Sequence, residues 1–292
     1  MASKPRTKNQ AAGTFPFHFP FPSALVDRAW IVASLRFNGA MPIRLSRVFT
    51  VCAWVSVAAL LLNPINSRIC RVMLLVALAA AAITTLLFVW RSRPLRFSLL
   101  LLCVLAPLPF LFPARPIDQA ALHSAYVARL GGFQGVRYVW GGEGRLGIDC
   151  SGLPRKALRE AMLLQGLKTA NGTLVRGWAF HWWNDASARA LAGEHLEYVH
   201  PLGISGTIRK IAYDNLESGD LAITKDGVHV LVYYGNNQWI QAEPGLGKVV
   251  VLDGRTDPST GSTPQWHCTA GMCSGSNPHA SLRPFKPVNR HC

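Results

Sequence analysis

Residues 138–153 read Tyr138-Val139-Trp140-Gly141-Gly142-Glu143-Gly144-Arg145-Leu146-Gly147-Ile148-Asp149-Cys150-Ser151-Gly152-Leu153. The glycines ahead of Cys150 describe a loop whose bare backbone lets another group approach closely. Beyond it, Ala157, Leu158, Ala161, Met162 and Leu164 recur at helical spacing, so residues 156–167 are expected to be helical and Cys150 falls at a helix start. A thiol there sees unpaired backbone N–H groups and the positive end of the helix dipole, which favours the thiolate. Pro154 fits because first-turn N–H groups lack intrahelical partners. Upstream, Ala121, Leu122, Ala125, Tyr126 and Leu130 give residues 117–130 a second helix, ended by Gly131-Gly132.

A helix-start cysteine needs a base, and residues 219–242 supply one. Residues 219–223, 228–234 and 238–242 read as strands separated by turns at Lys225-Asp226-Gly227 and Gly235-Asn236-Asn237, an antiparallel meander with His229 near the start of its central strand. On a period of two, His229, Leu231 and Tyr233 share a face. A turn of odd length would bring Gln241 to that face, and a two-residue Asn236-Asn237 turn would put it on the opposite one. The constellation is Cys150 as nucleophile, His229 as general base and Gln241 as the group fixing the imidazole tautomer, with Glu243 a competitor for that last role. Against it stands the plain reading of a buried thiol, a core histidine and a polar strand residue. The Trp178-Ala179-Phe180-His181-Trp182-Trp183 cluster suits either a groove wall or core packing.

Composition separates the chain into two textures. Of 292 residues 50% are hydrophobic and only 15% charged, against roughly 25% in ordinary soluble proteins. The net charge of +15 is lopsided: residues 1–116 hold 13 Lys and Arg against one acid, Asp27, while residues 117–292 hold 17 against 14. The excess flanks apolar runs at residues 48–62, 72–90 and 97–112, so it is read as membrane orientation, and nucleic acid is not expected as a partner. The middle run has 19 uncharged residues ending in Trp90, enough to cross the bilayer. The first run stops at Asn63-Pro64 and the third contains Pro107 and Pro109, which leaves two or three spans. With three, the positive-inside rule keeps the N-terminus inside and places the C-terminal part outside the cytoplasm. The N-terminal helices are therefore expected to sit in the lipid bilayer of the cell (inner) membrane. Residues 1–47 are basic and, around the Pro/Phe stretch 15–22, read as disordered, with Met41 an alternative start.

At this point the motifs form a set. Tyr138-x-Trp140-Gly141-Gly142, Asp149-Cys150-Ser151-Gly152-Leu153, Gly219-Asp220-Leu221, His229-Val230-x-Val232-Tyr233-x-Gly235 and Ile240-Gln241-Ala242 resemble, in order and spacing over residues 118–250, the NlpC family of cell-wall cysteine peptidases. The resemblance implies an α+β papain-like domain, a helix carrying the nucleophile against an antiparallel sheet carrying the base, preceded here by an α-helical transmembrane anchor. It implies hydrolysis of amide bonds in peptidoglycan stem peptides by Cys150 and His229, with Gln241 where the family often has His. Tyr138 matches the tyrosine near the oxyanion site, and Asp149 and Ser151 match residues that help hold substrate. No metal or cofactor is called for.

The expected organisation is a segment 1–47, a membrane region 48–112, a catalytic domain 117–255 and a Pro/Ser/Gly-rich tail 256–292. In that tail a Cys268–Cys273 disulfide is favoured over a zinc site, since the scattered histidines lack tight ligand spacing. Two other functions stay open: a thiol-dependent acyltransferase or lipid-acting enzyme on the same fold, and an inactive wall-binding domain. Oligomeric state leaves no trace in the sequence.

Overall fold

A computed structural model describes residues 43–193, 199–258 and 266–270; the expectations for residues 1–42, including Met41 as a start, lie outside them. The apolar runs become three helices, α1 (Ile43–Leu62), α2 (Arg68–Val89) and α3 (Arg93–Leu105), the last extended by a 3-10 turn at Leu108–Leu111. Asn63-Pro64 closes the first, and Ser67 opens α2 by accepting the Cys70 N–H on its side chain. Arg68–Val89 and Arg93–Leu111 are long and apolar enough to cross a membrane, and their large side chains are mostly exposed.

Asp118 caps α4 (Gln119–Gly131) by accepting the Ala121 N–H. α5 (Gly152–Lys168) buries Leu153, Ala157, Leu158 and Ala161, and it packs on α4 and on α6 (Gly172–Trp183). A short α7 (Ala188–Ala192) follows. Between α4 and α5 a two-stranded hairpin, β1 (Glu143–Gly144) and β2 (Gly147–Ile148), shapes the glycine-rich loop.

The rest is one antiparallel sheet of β3 (His200–Gly206), β4 (Leu221–Thr224), β5 (Val230–Gly235), β6 (Gln238–Glu243), β7 (Lys248–Asp253) and β8 (Trp266–Ala270), in the order β3-β8-β4-β5-β6-β7. One face, with Val230, Val232 and Ile240, closes the core against Leu153, Leu158 and Tyr126 of the helices. The other carries Leu231, Tyr233, Trp239 and Trp266 over Tyr213, whose hydroxyl accepts the Trp239 indole N–H at 2.9 Å.

The expected meander is β4-β5-β6, but the sheet is larger. The boundary at residue 255 is too early: residues 266–270, read as tail, insert as β8 between β3 and β4. Trp266 and Cys268 supply the apolar side chains that make this a strand, a period-two signal masked by its polar surroundings. Cys268 is a buried free thiol, and Cys273 lies outside the described residues.

The hairpin between β5 and β6 combines both alternatives. Asn236 and Asn237 form a two-residue turn at positive φ, 51° and 60°, as a type I′ turn demands. A bulge between Tyr233 and Gly235, with Gly235 at φ 99°, then shifts the register so that Tyr233 faces Trp239 and Val232 faces Ile240. Continued one step, Leu231 faces Gln241, which puts Gln241 on the His229 side of the sheet.

Candidate active site

Cys150 sits directly before α5, held from both sides by its neighbour. The Asp149 carboxylate accepts the Gly152 N–H at the helix start, the Ser151 hydroxyl at 3.1 Å and the Gly141 N–H at 3.0 Å, while the Asp149 N–H donates to Gly142 O at 3.0 Å. Gly152 has no side chain for a steric reason: a Cβ there would collide with Gly142 O. The Cys150 turn and the 138–142 loop are thereby locked together.

The expected thiolate is not what this arrangement favours. Burial pushes the Cys150 thiol up to about 11, and the adjacent Asp149 carboxylate pushes the same way, outweighing hydrogen bonds from nearby backbone N–H groups. Asp149 also occupies a helix-start N–H that an open N-terminus would have offered the sulfur. The thiol instead donates to Val228 O at 3.7 Å.

That carbonyl belongs to the residue before His229, which immediately precedes β5. Thr224 pins the approach, its hydroxyl accepting the Val228 N–H at 3.1 Å and the His229 N–H at 2.9 Å. The imidazole Nε2 lies 2.6 Å from Gln241 Oε1 and 3.9 Å from a Glu243 carboxylate oxygen. A carbonyl oxygen only accepts, so in this contact Nε2 carries the proton and Nδ1 keeps its lone pair. Trp266 meets the ring edge-on at 6.2 Å. No hydrogen bond joins the thiol to the imidazole: Cys150 reaches the backbone beside His229, and His229 reaches Gln241.

A cavity of about 460 Å³ opens over the thiol, lined among others by Asn66, Tyr138, Trp140, Asp149, Ser151 and Val228. His229 and Gln241 are not among its lining residues. Burial, then the Cys150 and Asp149 charges, hold the Tyr138 phenol up at about 12, so it remains a proton donor. Among the described residues no group of three or more His, Cys, Asp or Glu is placed to hold a metal.

The cavity wall also carries a charge cluster that sequence reasoning missed, with Glu143, Arg155 and Asp185 among its lining residues. The Glu143 side chain, 2% exposed, pairs with Arg71 at 3.2 Å, Arg155 at 3.0 Å and Arg159 at 3.0 Å, and Arg155 also pairs with Asp185. Burial pushes the Glu143 carboxyl up, but Arg155, Arg159 and Arg71 together hold it below the usual carboxylate range. Arg155 and Arg159 stand four apart on a largely buried stretch of α5, which was the available signal. Arg71 gave none, being read as a basic flank of an apolar run. It is instead fully buried, bonded to Trp183 O at 3.1 Å and Asn66 O at 2.8 Å with Trp182 beneath it. The tryptophan cluster thus meets the N-terminal helices as well as the core.

The family model described as NlpC/P60 matches residues 135–263, which contain the whole constellation. Residues 135–263 are an NlpC/P60 domain. Over 121 residues the chain is 27% identical to the Escherichia coli K12 protein "Murein DD-endopeptidase MepS/Murein LD-carboxypeptidase", covering 40% of this chain and 48% of that one, and its counterpart in strain O157:H7 matches equally. The chain spans about half the length of the curated relatives it matches. Among solved structures, the P60 domain of an M. avium subspecies paratuberculosis antigen aligns at 22% identity and TM-score 0.31, covering 52% of this chain and 96% of that one. The Mycobacterium tuberculosis peptidoglycan hydrolase RipB aligns at 21% identity and TM-score 0.30, covering 51% and 65%. The NlpC/P60 domain begins after the three N-terminal helices and carries Tyr138, Asp149, Cys150, Ser151, His229 and Gln241.

Proposed function

We propose that the chain is a membrane-anchored cysteine peptidase that hydrolyses amide bonds in peptidoglycan stem peptides on the extracytoplasmic side of the inner membrane. The observation that carries this reading is the Nε2 hydrogen bond to Gln241, which leaves Nδ1 available as a base in an NlpC/P60 domain whose helix-start Cys150 bonds to the carbonyl of the residue before that histidine. In the attack, the Cys150 S–H proton passes to His229 Nδ1 as sulfur bonds to the amide carbonyl carbon, and the carbonyl π electrons move onto oxygen. Tyr138, as a neutral phenol, donates to that oxyanion. Collapse breaks the C–N bond, the imidazolium gives its proton to the leaving amine, and a thioester remains. Water then adds to the thioester with its proton taken by His229, and the carboxylic acid product leaves as the thiol is re-formed. Because the resting thiol is protonated and bonded to Val228 O, substrate entry must turn it toward the imidazole.

The anchor reading rests on the two long apolar helices and the shorter α1. Three crossings would bring residues 63–67 and 112–117 to one membrane face. In support, Glu143 N–H donates to Pro64 O at 3.0 Å and Gly172 N–H to Pro113 O at 2.9 Å, so both connections touch the same domain. The test is digestion of purified peptidoglycan and free stem peptides by the full chain in lipid nanodiscs, wild type beside Cys150→Ala, read by mass spectrometry. Stem fragments from wild type alone are expected, and their masses name the bond. No fragments, with selective alkylation of Cys150 retained, would overturn the peptidase reading in favour of acyl transfer to another acceptor.

A further inference from the structure

The cleft is not carried clear of the helices. Asn66, which lines the cavity together with Cys150, is four residues past the end of α1 and two before the start of α2. Two residues of chain reach at most about 7 Å. The cavity that Cys150 lines therefore starts within about that distance of the α2 end.

That distance is fixed by clamps on both sides. On one, Asn66 N–H donates to Gly141 O at 3.3 Å, the Asn66 amide donates to Glu143 at 2.8 Å, and the buried Arg71 guanidinium joins Glu143 to the first turn of α2. On the other, Arg176 donates to Phe110 O at 3.0 Å and Phe112 O at 3.1 Å, holding α6 to the end of the third apolar segment. Such a domain cannot swing outward on a tether. Its cleft rim also suits a bilayer surface: Trp140 is 73% exposed, and Ile65, bridged to Gly142, is exposed beside it. The exposed Arg68, first residue of α2 and two positions past Asn66, adds positive charge next to that rim.

We infer that the substrate is a stem peptide attached through its sugar to a lipid of the same bilayer, rather than a stem of the polymerised wall. This rests on the peptidase reading above. A stem on a lipid-linked sugar is held at the height of the cleft, so sharing the bilayer turns encounter into an effectively intramolecular event.

The full chain in nanodiscs is given equal amounts of three substrates: a free stem peptide, a disaccharide-peptide joined by pyrophosphate to a polyprenyl chain in the same disc, and purified sacculi. A parallel arm supplies the lipid-linked substrate in separate discs. Same-disc substrate is expected to be cleaved at least about tenfold faster than the free stem, an advantage lost in separate discs. Equal or faster cleavage of free stem or sacculi overturns the inference and leaves the peptidase reading standing. Cleavage of none of the substrates overturns both.

Discussion

Glu143→Gln is the sharpest single test of how the domain is held. The substitution keeps the shape of the side chain and removes the carboxylate that faces Arg71, Arg155 and Arg159. Arg71 and Arg155 keep Asp185, whereas Arg159, 4% exposed, has Glu143 as its sole ion-pair partner among the described residues. Stranding a buried charge costs about 3–5 kcal/mol. At about 2–4 °C per kcal/mol for a unit of this size, the melting temperature should fall by about 10 °C. Near-UV circular dichroism of the full chain in nanodiscs reads it. The double variant Glu143→Gln/Arg159→Met removes both charges and should recover at least half of the loss, a coupling that independent sites do not show. A single-variant loss below about 1 kcal/mol, or additive losses in the double variant, would refute the view that this cluster is a mutually dependent buried network. Because the folded carboxyl lies below its ordinary range, its stabilisation is present above that range and disappears as pH falls through the lowered value.

Other outcomes follow from the site. With the Cys150 thiol up at about 11, its alkylation in the resting enzyme should keep rising with pH well past 9, and at pH 8 be about 100-fold slower than for an ordinary thiol; peptide-resolved iodoacetamide rates that level off near pH 7 would show a preformed thiolate instead. The same shift stabilises the fold fully below about 9 and is lost as pH rises toward 11. Gln241→Ala should lower kcat about tenfold, near 1.4 kcal/mol, with KM little changed, and Glu243→Ala should matter more in that background than alone. His181, depressed to about 4 by burial and then by Arg159, works in the acid range: the unfolded chain takes up a proton below 6.5 and the fold does not, so stability drops between pH 6.5 and 4, and His181→Phe should flatten that part of a melting-temperature profile.

Much of the site was legible because its chemistry is local. Cys150 at a helix start, His229 at the head of a strand and the strand order of the central meander follow from periodicity and turn residues close in sequence. The thiol's protonation was not legible, because it depends on Asp149 turning its carboxylate back onto the helix start and on burial, both tertiary facts. The clamp between Arg71 and Glu143 joins residues 72 positions apart, and a basic residue beside an apolar run carries no mark of which surface will cover it. β8 was missed because the period-two signal of Trp266 and Cys268 is short and set in a polar stretch, and its strand partners β3 and β4 lie over 40 residues away in sequence.

The hairpin between β5 and β6 governs where the histidine's partner must be written in the chain. A two-residue turn alone would set position 242, not 241, on the His229 side, and the single bulged residue moves the assignment by one. Length changes between Tyr233 and Gln238 therefore act by parity: losing one residue there turns Gln241 to the far face with every side chain of the candidate site intact, while losing two restores the side and shifts only its depth. A chain sharing this domain but closing the same strands without a bulge would need its imidazole partner at a neighbouring position, so comparing these residues by column alone would pair the wrong ones.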